Sequence, residues 1–202
     1  MGITPQQLKQ IQERLGGNRR QAKPAFAPEV MRQQPARGKI LGLDPSLRGT
    51  GFGIIQVERP CPRAFVHGTV RCPANWERSR CLAKISVTLR EILAEHNPEV
   101  CVMEGLFYAQ NLQTALIMGE ARGAALAVIA EAGLQIFEIA PRKVKQAIVG
   151  YGAAQKGAVA KMVQRMLRLH EVPAPDAADA LALALTYLNE SNRYGFGAPR
   201  KI

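Results

Sequence analysis

The sequence has few of the residues that build zinc clusters, disulfide frameworks or membrane spans. Among 202 residues there are three histidines and four cysteines. The cysteines lack the close paired spacing of a zinc site or a disulfide framework. No apolar run reaches the roughly 18 residues of a transmembrane helix, and the first residues lack the apolar core of a secretory signal. We therefore expect a soluble, intracellular chain with reduced cysteines, namely Cys61, Cys72, Cys81 and Cys101.

Acidic residues are also scarce relative to basic ones. The 16 Asp and Glu residues stand against 27 Lys and Arg, which gives a formal net charge of +11. Such an excess favours a polyanionic partner, most commonly nucleic acid, although a ribosomal-type or membrane-surface protein would share it. With 47% hydrophobic residues, the length fits one globular domain of ordinary size.

The first 38 residues differ in composition from the rest of the chain. They contain seven glutamines, four prolines and seven basic residues against two glutamates. This composition predicts a mostly flexible basic arm with a short helical stretch near its start. Three roles stay open for it. A solvated tail and an arm that contacts DNA both fit, whereas an organellar transit peptide is disfavoured because the segment contains no serine.

Two short apolar runs each end in a carboxylate. Residues 40–43 suit a buried strand that ends in Asp44, and Pro45 then bends the chain away. Residues 100–103 form a second apolar run, which ends in Glu104. A charged group there is costly unless it faces a cleft that water or a cation can reach. Asp44 alone could simply cap the following turn, but two such carboxylates suggest a shared site.

The remaining patterns predict an α/β domain with a mixed five-stranded sheet flanked by helices. Gly49 and Gly51 indicate a tight turn before a second strand, and an alternating third strand follows. The first three strands should be sequential and antiparallel. The predicted strands are 40–43, 52–57, 64–70, 100–103 and 135–139, and the predicted helices are 77–95, 112–132, 142–149, 155–169 and 176–188.

The last predicted helix carries the strongest local signal. Pro175 starts it, and Asp176 and Asp179 lie three residues apart in its first turn, on one face. Capping and compensation of the helix dipole would explain one aspartate. Two like charges that point the same way repel each other unless a cation lies between them. The alanines between them leave room for close packing of this helix against a sheet.

The segment 112–132 is apolar and rich in small residues. Ala115, Gly119 and Gly123 recur at four-residue spacing, so that a helix here could approach another helix closely. The partner could be this domain's own core or a second subunit, and the sequence leaves both explanations open.

Taken together and in this order, five stretches resemble the RuvC family of Holliday junction resolvases. They are LGLDPSLRGTGFGII, VMEGLFYAQN, MGEARGAA, APRKVKQAIVGYGAAQK and PDAADALALAL. Each motif alone is weakly specific, whereas the ordered set is highly specific and covers residues 40–188. The chain departs from the family in two respects: Ser46 stands where the family more often has glycine, and the arm has no counterpart.

The resemblance implies a ribonuclease-H-like fold, a homodimer and metal-dependent cleavage of four-way DNA junctions by paired nicks. It implies that Asp44, Glu104, Asp176 and Asp179 are the catalytic, metal-binding residues. Oxygen donors without Cys or His suit Mg²⁺, with two ions in the site and Mn²⁺ as a substitute. The DNA-binding residues implied are Phe107, Tyr108, Lys145 and Lys156.

Alternatives stay open for several of these residues. A solvated basic helix face would explain each lysine, and one of the two aromatic residues could belong to the core. Another nuclease of the same fold that acts on RNA or hybrids would keep the carboxylates, whereas a non-catalytic junction-binding module would have lost at least one.

The resemblance also bears on domains, partners and location. We expect a basic arm over 1–38, a RuvC-like nuclease domain over 39–190 and a short basic tail over 191–202. The RuvA and RuvB branch-migration proteins are expected partners, in a cytoplasmic, nucleoid-associated setting.

Overall fold

The computed structural model describes residues 38–105, 111–191 and 199–202. Its sheet has six strands, in the order β3-β2-β1-β4-β5-β6. The expected mixed α/β architecture is confirmed, but the sheet has one strand more than predicted. The additional strand is only two residues long and lies in the basic tail, where no periodic pattern could indicate it. The strands are β1 (Lys39–Asp44), β2 (Gly49–Gln56), β3 (Arg63–Arg71), β4 (Val100–Glu104), β5 (Gln135–Ile139) and β6 (Arg200–Lys201).

The helices of the described residues follow the predicted segments closely. Each begins or ends within a few residues of the bounds that apolar periodicity indicated. They are α1 (Arg78–His96), α2 (Leu112–Glu131), α3 (Pro141–Val149), α4 (Lys156–Met166) and α5 (Pro175–Ser191).

The first three strands form an antiparallel meander, as the sequence predicts, and β4 and β5 extend the sheet in parallel with β1. The predicted turn at Gly49 and Gly51 is wrong, because both residues already lie in β2. The turn is instead closed by Thr50, whose hydroxyl donates to Ser46 O at 2.7 Å and accepts from Ser46 N at 3.2 Å. Ser46 adopts no positive φ, so its side chain is accommodated in this turn.

Each face of the sheet has its own apolar core. On one face, Leu41 and Leu43 of β1 join a cluster with residues of α1 and α2. On the other face, Ile40 and Val102 join a cluster with residues of α3, α4 and α5. Because side chains alternate along a strand, Asp44 and Glu104 project from the face that α3, α4 and α5 cover.

Helix α5 lies unusually close to β1 and β2. A Cβ added at Gly42 would come within 1.8 Å of Ala180 O, and one added at Gly51 would come within 2.0 Å of Asp176 O. Only glycine permits this approach. The glycines therefore position the first turn of α5, and with it Asp176 and Asp179, over the ends of the strands.

The sequence predicts no membrane-spanning segment, but helix α2 is long and apolar enough to be a candidate for one. By length and composition alone it could cross a bilayer, and 28% of the relevant stretch is buried in the domain. One such helix is weak evidence for a span. Its charged side chains contact the rest of the domain: Glu120 pairs with Arg78 of α1, and Arg122 pairs with Glu138 of β5.

Candidate active site

Asp44 and Glu104 end two adjacent parallel strands. Leu43 pairs with Met103 across the β1–β4 ladder, and the two carboxylates are the next residues on each strand. Both are half-buried. The carboxyl ends of parallel strands in an open sheet are the usual place for a binding cleft. The two strands that each end in a carboxylate therefore bring Asp44 and Glu104 to one site.

Helix α5 supplies the other two carboxylates. Asp176 Oδ2 lies 3.0 Å from the position that a Cβ on Gly49 would occupy, which places this carboxylate beside the start of β2. Asp179 lies one turn further along the helix and lines the same cleft as Asp44 and Glu104. Three of the four predicted carboxylates thus line one cleft, whereas Asp176 is not among the lining residues and acts on Asp44 through its charge.

The cleft has a volume of about 250 Å³ and mixes acidic, basic and apolar lining. Its basic residues are Lys145 of α3 and Lys156 at the start of α4. Both lysines of the predicted DNA-binding set therefore reach the acidic site. The lining residues are Asp44, Glu104, Pro141, Val144, Lys145, Lys156, Val159, Asp179 and Leu183.

Burial and mutual repulsion disfavour negative charge on the two strand-end carboxylates. Burial is the largest cause that raises the pKa of Asp44 to about 6, and the charges of Asp179 and Asp176 add to it. The pKa of Glu104 rises to about 7, again chiefly through burial and then through Asp44 and Asp179. Carboxylates that raise one another's pKa in a cleft are typical of catalytic and metal-binding sites.

Lys156 provides positive charge within this acidic group. Its Nζ donates to Asp179 Oδ2 at 3.1 Å. This hydrogen bond is the main cause that raises the pKa of Lys156, and the charges of Asp44 and Glu104 act in the same direction. Lys156 in turn opposes the rise in pKa at both strand-end carboxylates.

A hard divalent cation fits the chemistry of this donor set. Mg²⁺ and similar ions prefer carboxylate oxygens and water, and a cation here would relieve the repulsion that raises the pKa of Asp44 and Glu104. As the side chains stand, however, no three acidic, histidine or cysteine residues within the described ranges are grouped closely enough to hold one ion. Mg²⁺ usually keeps several waters and takes only one or two protein carboxylates, so the donor set still suits such an ion.

Two of the predicted site residues lie outside the described ranges, and one buried residue was missed. Phe107 and Tyr108 fall within 106–110, which the structure does not describe. Sequence reasoning overlooked Arg122, whose guanidinium donates to Glu104 O at 2.6 Å and is paired with Glu138. The available signal was a basic residue within an otherwise small and apolar stretch of α2.

Comparisons of sequence agree with this architecture. The family model described as crossover junction endodeoxyribonuclease RuvC matches residues 40–187. The enzyme of this name from Halorhodospira halophila is 46% identical over 149 residues, which span 74% of this chain and 89% of the relative. That from Akkermansia muciniphila is 43% identical over 150 residues, which span 74% of this chain and 90% of the relative.

The fold comparison leads to the same family. RuvC of Thermus thermophilus, solved in complex with a Holliday junction substrate, superposes with a TM-score of 0.74 at 30% identity, covering 82% of this chain and 99% of the other. A second structure of Thermus thermophilus RuvC gives a TM-score of 0.70. With the family model spanning most of the described domain, the chain belongs to the RuvC family of crossover junction endodeoxyribonucleases and has its ribonuclease-H-like fold.

Proposed function

We propose that this chain resolves four-way DNA junctions by hydrolysing one phosphodiester bond in each of two strands. The observation that carries the proposal is the convergence of Asp44, Glu104 and Asp179 in one cleft with Lys145 and Lys156. A hydrolytic nuclease needs to bind a phosphate and to activate water beside it. Basic and acidic side chains in one cleft suit these two tasks.

Divalent-metal dependence is common to the family, and we propose Mg²⁺ as the ion, bound as a pair. Such ions would supply activation of the attacking water and stabilisation of the leaving oxygen, and Mn²⁺ would be expected to substitute. The residues that would hold it are Asp44, Glu104, Asp176 and Asp179. Asp44 would be the central residue of this set, because the charges of Asp179 and Asp176 act on Asp44 and its own charge acts on Glu104.

The lysines and two aromatic residues are proposed to contact DNA. The Lys156 side chain is three-quarters exposed although it pairs with Asp179, so a phosphate can reach its ammonium group. Lys145 lines the same cleft. Phe107 and Tyr108 follow Glu104 within a few residues, and we propose that they stack on unpaired bases at the crossover.

Paired nicks require two sites, and we propose that a homodimer supplies them through α2. The exposed side of this helix carries Leu112, Leu116, Gly119 and Gly123. A Cβ added at either glycine would meet nothing within 4 Å. Small residues here therefore do not serve packing within the domain, whereas a second copy of α2 could approach closely. A two-fold dimer would present the same patch from both subunits.

We also propose that the protein works in the bacterial cytoplasm at the nucleoid, with RuvA and RuvB as partners. The support is its family membership and its relatives in bacteria. The basic arm over 1–38 remains a further candidate for DNA contact.

The decisive experiment compares substrates under matched conditions. Purified protein is incubated with a mobile four-way junction, a linear duplex of the same sequence and an RNA–DNA hybrid, each with Mg²⁺ or EDTA. We expect paired nicks in the junction only, and only with Mg²⁺. Preferred cleavage of the hybrid would indicate a ribonuclease instead, and junction binding without cleavage would indicate a binding module.

A further inference from the structure

Arg122 is a buried charged residue that contacts the end of the strand bearing Glu104. It is 6% exposed. Its Nη1 donates to Glu104 O at 2.6 Å, and its Nη2 donates to Glu138 Oε1 of β5. One guanidinium therefore joins α2 to the carboxyl end of β4 and to the neighbouring strand.

Other ion pairs involving α2 are arranged differently. Glu120 pairs with Arg78 and Glu131 pairs with Arg90, and in each pair both side chains are more than a third exposed. Exposed pairs of this kind contribute little to stability. Neither Arg78 nor Arg90 lines the cleft that holds Asp44, Glu104 and Asp179.

Burying a guanidinium is costly unless its charge and hydrogen-bond donors are satisfied. An apolar side chain would pack α2 against the sheet at lower cost. The main-chain contact of Arg122 is instead made at Glu104, where the strand ends. Gly105 N, the next donor, is held by Ile139 O at 2.9 Å. Together these contacts hold both polar groups of the peptide that joins Glu104 to Gly105.

We propose that Arg122 is a positioning residue for Glu104: by holding the Glu104 carbonyl, it keeps the Glu104 carboxylate directed into the cleft toward Asp44. Glu138 holds the guanidinium in the orientation that this contact needs. The inference rests on the proposed function for the role of the cleft. It adds Arg122, which does not line the cleft, as a residue that determines the geometry of the cleft.

The test replaces Arg122 by lysine, which keeps the charge but loses the planar fork. A single ammonium group cannot reproduce two contacts made by separate guanidinium nitrogens. Loss of a residue that orients a metal ligand typically costs about 10- to 100-fold in metal affinity or activity. We expect Arg122→Lys to need about tenfold more Mg²⁺ for half-maximal thermal stabilisation without DNA, and to nick junctions about 10- to 100-fold more slowly. Junction affinity in EDTA should not change.

Arg90→Lys is the matched control, since it alters an arginine that is ion-paired to the same helix but does not line the cleft. Its Mg²⁺ dependence should equal that of the parent. Glu138→Gln is the second variant, because it keeps Arg122 and removes the charge that orients it. We expect the same shift in Mg²⁺ dependence, but smaller.

Parental Mg²⁺ dependence in folded Arg122→Lys would overturn the proposal, as would an equal shift in Arg90→Lys. If Arg122→Lys does not fold, Glu138→Gln decides, and an unchanged Mg²⁺ requirement there defeats the proposal. Failure of the proposed function looks different: the parent protein would then cleave no junction, while the Mg²⁺-dependent melting of the variants would still report on Arg122.

Discussion

Lys156 Nζ lies 3.1 Å from Asp179 Oδ2, at a cleft that Asp44 and Glu104 also line. A lysine placed among carboxylates has two effects. It limits the rise in pKa of Asp44 and Glu104, and it offers an exposed positive group to an incoming phosphate. The lysine thereby makes an acidic cleft compatible with a polyanionic substrate.

Replacing both Lys145 and Lys156 by alanine should weaken junction binding and flatten its dependence on salt. A lysine that contacts a phosphate releases a counterion when the protein binds DNA. Each lysine lost should therefore reduce the magnitude of the slope of log affinity against log salt by about one. Binding titrations between low and physiological salt, in EDTA, measure this slope. Lys161→Ala is the control, because Lys161 is an exposed lysine on α4, the helix that begins with Lys156, but does not line the cleft. An unchanged slope in the double variant would place both lysines away from the DNA.

Asp44→Asn should abolish cleavage and leave junction binding nearly intact. The change removes the charge of a metal ligand and keeps its shape, whereas binding depends mainly on basic groups that meet phosphates. Because a catalytic metal supplies several kcal/mol, we expect a rate loss of at least about 100-fold. Single-turnover nicking in Mg²⁺ measures it. Glu99→Gln, an exposed carboxylate at the opposite end of β4, should behave as the parent. Normal nicking by Asp44→Asn would refute the site assignment.

Without metal, Asp44 and Glu104 should make the protein less stable as pH rises from about 4 to about 7. Folding raises the pKa of Asp44 from 3.8 to about 6 and that of Glu104 from 4.5 to about 7. Between these values the folded state holds more protons than the unfolded state, so the free energy of unfolding falls with increasing pH. The effect is complete above the folded-state pKa values.

Asp44→Asn isolates this contribution because asparagine is uncharged at every pH. In EDTA its melting temperature should exceed that of the parent at pH 8 and approach it near pH 4. Mg²⁺ should raise the melting temperature of the parent at pH 8 more than that of the variant. A difference between parent and variant that stays constant from pH 4 to pH 8 would contradict the assignment of a raised pKa to Asp44.

Local sequence patterns were sufficient to predict most of the strands and helices. They also drew attention to two pairs of carboxylates, Asp44 with Glu104 and Asp176 with Asp179. Apolar runs that end in Asp44 and Glu104 predicted strands with a shared site, and Pro175 correctly marked the start of α5. The distances within the site could not be read in the same way. They depend on the pairing of Leu43 with Met103 and on the approach of α5 to Gly42, which join residues far apart in the sequence.

The errors have the same origin. Glycine commonly marks turns, so the sequence around Gly51 predicts one. The role of Gly51 in the structure is instead to admit the main chain of Asp176, more than a hundred residues away. The two residues of β6 are held by pairing with β5 rather than by any pattern of their own. Arg122 shows its importance only through contacts with Glu104 and Glu138, which no local period reveals.

The exposed side of α2 permits a test that separates packing within the domain from contact between subunits. Gly119 and Gly123 have open space where a Cβ would lie. Alanine is therefore accommodated at either position within the subunit. Glycine within a helix costs about 0.5 to 1 kcal/mol relative to alanine. A subunit that gained nothing from these glycines would be improved by replacing them.

Gly119→Arg should give a folded monomer that nicks junctions poorly or without pairing, because a bulky charge prevents the close approach of two α2 helices. Gly119→Ala should raise the free energy of unfolding of the subunit by up to about 1 kcal/mol. The same change should weaken the dimer. Packing within the domain alone would not predict these two effects together. Ala83→Arg, which adds the same charge at an exposed position of α1, is the control and should remain dimeric. Sedimentation measures the oligomeric state, and circular dichroism measures folding. A Gly119→Arg protein that stays dimeric, or that unfolds while Gly119→Ala leaves the dimer unchanged, would exclude this face of α2 as the interface.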